Sequence, residues 1–171
     1  MSELDCRLIY RQAFCDPDTV FEDKLFKNCF SYCKTCEEKG RTVSMLFALP
    51  CDIRLGETLK NAVYIYAAAT LKEYRKRGYM TRLIETVKNS SDLVFLVPEK
   101  EELIPFYKKL GFCEFKASTY KQCNKCVEPK GGFIPLSVGE KEKSEYEFRA
   151  MYRSDGKLSL DGLYFPFLML N

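Results

Sequence analysis

The run "AVYIYAAATL", Ala62 to Leu71, contains no charged side chain and mixes β-branched with aromatic residues. It lacks the polar alternation of a half-wet strand, so it reads as a central strand covered on both faces. The next stretch of chain narrows the architecture further. Arg75, Lys76 and Arg77 crowd against Gly78, and beyond it Met80, Leu83, Ile84 and Val87 fall at helical spacing, with Arg82, Glu85 and Lys88 between them. A buried strand, a cationic loop, one glycine and a helix N-terminus together make an anion site. The first helical N–H groups point outward, the helix dipole adds positive charge, and glycine lets the backbone approach closely. The expected anion is a pyrophosphate. The loop is neither a P-loop nor a dinucleotide fingerprint, because both need further glycines that this stretch does not have.

Around this centre the chain alternates. "CRLIYRQAF" reads as an opening strand, and "DPDTVFEDKLFKNCF" as a helix that starts near Asp16 or Asp18 and carries Val20, Leu25 and Phe26. "SYCKTCEE" and "RTVSMLFALPCDIRL" read as a hairpin turning at Lys39-Gly40, and "GETLKN" as a turn before the central strand. "DLVFLVPE" is a second buried strand. "EKEELIPFYKKLGF" is a helix beginning near Pro105 and ending at Gly111 in a left-handed cap, with Phe112 opening the next strand. In the last third, strand and loop are expected up to Val138, a helix in "EKEKSEYEFRAMYRSDG", and β structure turning at Asp161-Gly162 in "KLSLDGLYFPFLML". The apolar end, Leu163 to Leu170, is expected to pack on the sheet, with a homodimer edge or an acceptor-pocket wall as alternatives. The whole is an α/β fold with a mixed sheet, and 171 residues form one globular domain, 1–171.

Charge and composition remove several functions. A net charge of +3, with basic residues spread along the chain, gives no support for nucleic-acid binding. No signal-peptide pattern opens the sequence and no apolar run is long enough to cross a bilayer, so a cytoplasmic location away from membranes is expected. Histidine is absent, which excludes Ser-His-Asp and Cys-His catalysis and histidine-ligated metal. Nine cysteines include the spacings Cys33-x-x-Cys36 and Cys123-x-x-Cys126. Residues three apart on a strand point to opposite faces, so the first pair does not clasp one metal, and no metal is expected.

The loop "RKRGYM" resembles the acetyl-coenzyme A signature of the GNAT N-acetyltransferase superfamily, Arg/Gln-x-x-Gly-x-Gly/Ala, through Arg75 and Gly78. The resemblance runs from about Val43 to Phe115. "YIYAAATLKEYRKRGYMTRLIE" is similar to the family's central strand, loop and helix, and "FLVPEKEELIPFYKKLGF" to its next strand and helix, with Tyr107, Gly111 and Phe112 in Tyr-x-x-x-Gly-Phe. It is closest to the N-terminal module of Eis-like acetyltransferases, in which a Met at position 80 is usual. The resemblance implies a mostly antiparallel twisted sheet flanked by helices, with a splayed central strand pair. It implies that the backbone of Ala68, Ala69 and Thr70 holds the pantetheine arm. The N–H groups of Arg75, Lys76, Arg77, Gly78, Tyr79 and Met80, with Thr81 following, would hold the pyrophosphate. Tyr107 would protonate the departing thiolate. Lys100 stands where the family often has an asparagine seven residues before this tyrosine.

The implied function is transfer of an acetyl group from acetyl-coenzyme A to a small-molecule or peptide amine, by direct attack in a ternary complex. The base that frees the amine is left open among Glu73, another acid, the C-terminal carboxylate and water. The other readings are a non-catalytic coenzyme A sensor and a zinc or redox cysteine protein on the same fold.

Overall fold

The computed structural model describes residues 2–55, 58–119, 135–138, 146–154, 156 and 163–165. Two helices come first, α1 (Glu3–Phe14) and α2 (Thr19–Cys29). Then come strands β1 (Cys33–Glu38), β2 (Arg41–Leu55) and β3 (Thr58–Thr70), helix α3 (Tyr79–Val87), strand β4 (Leu93–Leu96) and helix α4 (Ile104–Lys109). β5 (Cys113–Thr119), β6 (Pro135–Val138), β7 (Tyr146–Ser154) and β8 (Leu163–Phe165) complete the described elements. The strands form one sheet in the order β1-β2-β3-β4-β7-β5-β8-β6, with β6 also pairing β2. Pairing is antiparallel except for β3–β4, β2–β6 and β5–β8, so the sheet is the mixed, mostly antiparallel one expected.

The expected opening strand is instead α1. Cys6, Ile9 and Tyr10 recur at helical spacing and are all buried, the Ser2 hydroxyl accepts from the Asp5 N–H at 3.4 Å, and Cys15 turns left-handed at φ 49° to end the helix. α2 starts where Asp18 caps the Phe21 N–H at 2.9 Å. Its buried face carries Phe21, Leu25 and Phe26, while Val20 faces outward. Glu22 locks the two helices together: its buried carboxylate receives Arg7 at 3.0 Å and Arg11 at 2.8 Å.

Lys39 and Gly40 both have positive φ, 50° and 78°, as a two-residue hairpin turn requires, and they join β1 to β2 as expected. β3 starts at Thr58, so most of the expected turn is strand, paired with β2 in continuous register from Leu55↔Thr58 to Phe47↔Tyr66. β4 is buried throughout, and its Phe95 ring stacks on Tyr64 of β3 at 4.9 Å. The expected helix in the last third is β7. Its Ala and Met favour helix in isolation, but the segment fills the slot between β4 and β5, where Ala150 and Met151 are wholly buried. α4 is shorter than expected, with Pro105 in its first turn and Gly111 at φ 87° just beyond it. The Asp161-Gly162 turn lies outside the described residues.

Two cores flank the sheet. One gathers α1 and α2 against Met45, Phe47, Tyr64, Tyr66 and Phe95. The other gathers Leu83, Ile84 and Val87 of α3 with Ile104 and Tyr107 of α4 against Leu46, Ile65 and Leu96. Cys33 lies in the first core, its Sγ 3.9 Å from that of Cys6, whereas Cys36 lies on the other face with its Sγ 3.7 Å from the Tyr79 carbonyl oxygen. Among the described residues no three metal-ligating side chains converge, and no helix is long and apolar enough to cross a membrane. Cys123 and Cys126 lie outside the described residues.

Burial sets the alkaline limit of this fold. It pushes Tyr10 and Tyr107 up from 10.0 to about 12, and Cys29 up from 9.0 to about 11. The unfolded chain therefore sheds these protons first, and their contribution is full below about pH 9 and is lost as pH rises through these raised values. With no histidine to titrate, the thermal midpoint is expected to stay flat from about pH 6 to 8 and to fall steadily above about pH 9. Calorimetric scans across that range check this; a midpoint that holds to pH 11 would contradict it.

Candidate cofactor and acyl-transfer site

The site begins where β3 loses a neighbour. β3 and β4 pair only from Ala62↔Leu93 to Ile65↔Leu96, after which β4 ends and β3 continues to Thr70. On the other side, pairing with β2 persists through Met45↔Ala69 and Ser44↔Thr70. Between those pairs and Phe47↔Tyr66, Leu46 faces two residues, Ala67 and Ala68; Ala67 sits at φ 49°. This is a β-bulge, which bends a strand and re-aims its edge. The edge from Tyr66 to Thr70 thus faces a gap instead of β4.

The end of β3 is tied down tightly. The Ser44 hydroxyl donates to the Ala69 carbonyl at 3.1 Å and lies 2.8 Å from the Thr70 hydroxyl, while the Leu71 N–H donates to the Val43 carbonyl. A 3-10 turn, Lys72–Tyr74, leads into the cationic loop. Arg75 folds back, its Nε donating to the Thr70 carbonyl at 3.1 Å, which closes the loop on the strand it left. Lys76 is exposed and left-handed at φ 62°. Arg77 is about half exposed, its guanidinium 5.2 Å above the Tyr74 ring and 3.9 Å from the Glu38 carboxylate.

Gly78 is the N-cap of α3, left-handed at φ 81°, and supplies no side-chain cap. Arg82 is the first residue to bond back within the helix, from its N–H to the Gly78 carbonyl at 3.0 Å. The N–H groups of Tyr79, Met80 and Thr81 therefore stand at an uncapped terminus, open to an anion. A Cβ built on Gly78 meets no atom within 4 Å, so space remains above it. Tyr79 contributes more than its backbone. Its ring is buried, its hydroxyl donates to Glu38, and Arg82 lies 4.7 Å over its face. Met80 is half-buried against the α3 and α4 core.

Tyr107 occupies that same core, 7% exposed, with its ring between Phe106 at 5.1 Å and Phe112 at 6.1 Å. Desolvation, with the Glu99 charge second, pushes its phenol up to about 12, so it is a neutral proton donor throughout the physiological range. It shares the core with Ile65 and Leu96, the last residues joined before the strands separate. Glu73, by contrast, has a side chain 56% exposed and pairs with Arg41 at 3.8 Å beside the hairpin turn. Sequence reading missed Glu38 and Arg41 altogether. Neither carries a local signal, since hairpin pairing is what brings them to a loop more than thirty residues further on.

An uncapped helix terminus at the end of a bulged, half-released central strand, beside a buried neutral tyrosine, defines an acyltransferase-type α/β site. Residues 5–115 match the family described as acetyltransferase (GNAT) domain, and the chain belongs to that family. The N-alpha-acetyltransferase 30 of Schizosaccharomyces pombe is 35% identical over 72 residues, which take in 38% of this chain and 47% of that protein. The chain thus spans about half the length of that curated relative. Among solved structures, a probable N-acyltransferase from Enterococcus faecalis superposes with a TM-score of 0.56 at 18% identity, over 68% of this chain and 32% of that one. The Chaetomium thermophilum Naa20, solved with a bisubstrate analogue, gives a TM-score of 0.55 at 14% identity, over 90% of this chain and 84% of that one. At such identities the likeness is one of fold. These relatives do not single out the Eis-like module that the loop resembles.

Gly78→Ala tests the backbone geometry. Since the added methyl meets nothing, only the left-handed conformation opposes it, at a cost of about 1–2 kcal/mol. The midpoint should fall by roughly 2–8 °C with the fold retained; an unchanged midpoint would mean that the loop does not require positive φ.

Proposed function

We propose that this chain is an acetyl-coenzyme A-dependent N-acetyltransferase that moves an acetyl group from the thioester to an amine in a ternary complex. The observation that carries the reading is the continuity between the released edge of β3, Tyr66 to Thr70, and the uncapped N-terminus of α3. An extended edge of five residues runs about 16 Å. That suits an arm lying along Ala68, Ala69 and Thr70, with its pyrophosphate on the N–H groups from Arg75 to Met80. Thr81 completes the first helical turn. Membership in the GNAT family supports the same assignment.

The chemistry follows from the groups present. A neutral amine attacks the thioester carbonyl, the C–S bond breaks, and the sulfur leaves as a thiolate or, if protonated in step, as a thiol. Tyr107 is the proposed donor, because a neutral phenol holds its proton until charge develops on sulfur. The amine's proton passes to water or to a carboxylate such as Glu73. A free α-amine on a peptide is the acceptor class suggested by the N-alpha-acetyltransferase relative, and a small-molecule amine is the alternative.

Titration calorimetry with acetyl-coenzyme A is expected to show micromolar binding that Gly78→Glu abolishes, since a carboxylate would stand where the pyrophosphate sits. No binding to the unaltered chain would refute the proposal. Tyr107→Phe keeps the ring contacts and should bind the cofactor normally, while turnover falls by about a hundredfold or more. Tight binding without turnover on any amine would instead favour a coenzyme A sensor.

A further inference from the structure

The loop that carries the proposed pyrophosphate site is not held by its own residues alone. Glu38, the last residue of β1, receives the Tyr79 hydroxyl on its Oε2, and the Arg77 guanidinium lies 3.9 Å from the same oxygen. These two residues flank Gly78, so a single carboxylate grips both sides of the helix N-cap. The Tyr74 ring fills the space between, 5.2 Å beneath Arg77 and edge-on to Tyr79 at 6.1 Å. Next to Glu38 the register between β1 and β2 shifts at Cys36/Glu37. Across the hairpin turn, Arg41 pairs with Glu73 at the start of the same loop, at 3.8 Å.

A carboxylate beside an anion site looks adverse, because it repels the ligand and occupies a cation. Its placement is informative for that reason. Placed on Tyr79 and Arg77, it leaves the helix N–H groups themselves free. We propose that Glu38 is a positioning residue for cofactor binding, fixing the α3 N-terminus through the Tyr79 hydroxyl so that its N–H groups are preorganised for the pyrophosphate. The hairpin end of β1 and β2 is then part of the cofactor site although it contributes no contact to the cofactor. Its charge is incidental to this role, and its acceptor oxygen is what matters. The inference rests on the acetyl-coenzyme A reading of the site.

Three variants test it by calorimetric titration with acetyl-coenzyme A, each checked for an intact thermal transition. Glu38→Ala removes the acceptor and should weaken binding about tenfold, as expected for loss of a charge-assisted hydrogen bond that orders the site. Glu38→Gln keeps an acceptor oxygen but drops the charge, and should restore binding to within about twofold of the unaltered chain or tighter, since Arg77 is released. Tyr79→Phe leaves Glu38 in place and should weaken binding in the same direction as Glu38→Ala. Normal binding by Glu38→Ala or by Tyr79→Phe would overturn the inference, and so would a Gln variant as weak as the Ala variant. Failure of the unaltered chain to bind acetyl-coenzyme A would remove the cofactor reading itself, and this inference with it.

Discussion

The structure turns on the parting of β3 from β4 after Ile65 and Leu96. Two local facts produce it. β3 takes on an extra residue at Ala67–Ala68 and bends there, while β4 is only four residues long and runs into Pro98, which has no N–H to continue a ladder. Backbone donors and acceptors on the released edge of β3 are left facing a gap, and such groups need partners. The separation therefore creates a binding demand in the middle of a sheet that is otherwise well paired.

The cores explain why the sheet tolerates this opening. Tyr64 stacked on Phe95, and Phe47 packed edge-on to Phe26 at 5.4 Å, hold the strands and α2 together on one face. On the other face α3 and α4 pack over the point of divergence, so the helix that presents its N-terminus to the gap is anchored by Leu83, Ile84 and Val87. Preorganisation of that terminus is then a matter of side chains. Arg75 ties the loop back to Thr70, while Glu38 and Tyr74 steady Arg77 and Tyr79. Rigid N–H groups bind an anion with less ordering cost than a loose loop of lysines and arginines would.

The central part of the chain was legible because local pattern and tertiary role agree there. Ala62 to Leu71 is apolar on both faces and is buried on both faces, and the helical spacing of Leu83, Ile84 and Val87 is the face α3 buries. Pro105 and Gly111 delimit α4 through backbone geometry that needs no partner. The misreadings have a common cause. "CRLIYRQAF" is short enough to fit either period, and only packing of Cys6, Ile9 and Tyr10 against the sheet selects the helix. β7 has residues that favour helix, and its strand state comes from the vacancy between β4 and β5.

The sequence by itself determined the buried central strand, the glycine-capped helix start after three cations, the helix at Pro105 that carries Tyr107, and the exclusion of histidine chemistry, because each depends on residue type and near neighbours. Only the tertiary structure decided what the cations touch. Arg75 turns to its own strand, Arg77 shares Glu38 with Tyr79, and Glu73 faces Arg41. The physical reason is that a charged side chain is long, and its partner is set by which strands lie side by side. Pairing β1 with β2, and β2 with β3, places the end of one hairpin beside the start of α3, and no local pattern records that neighbour.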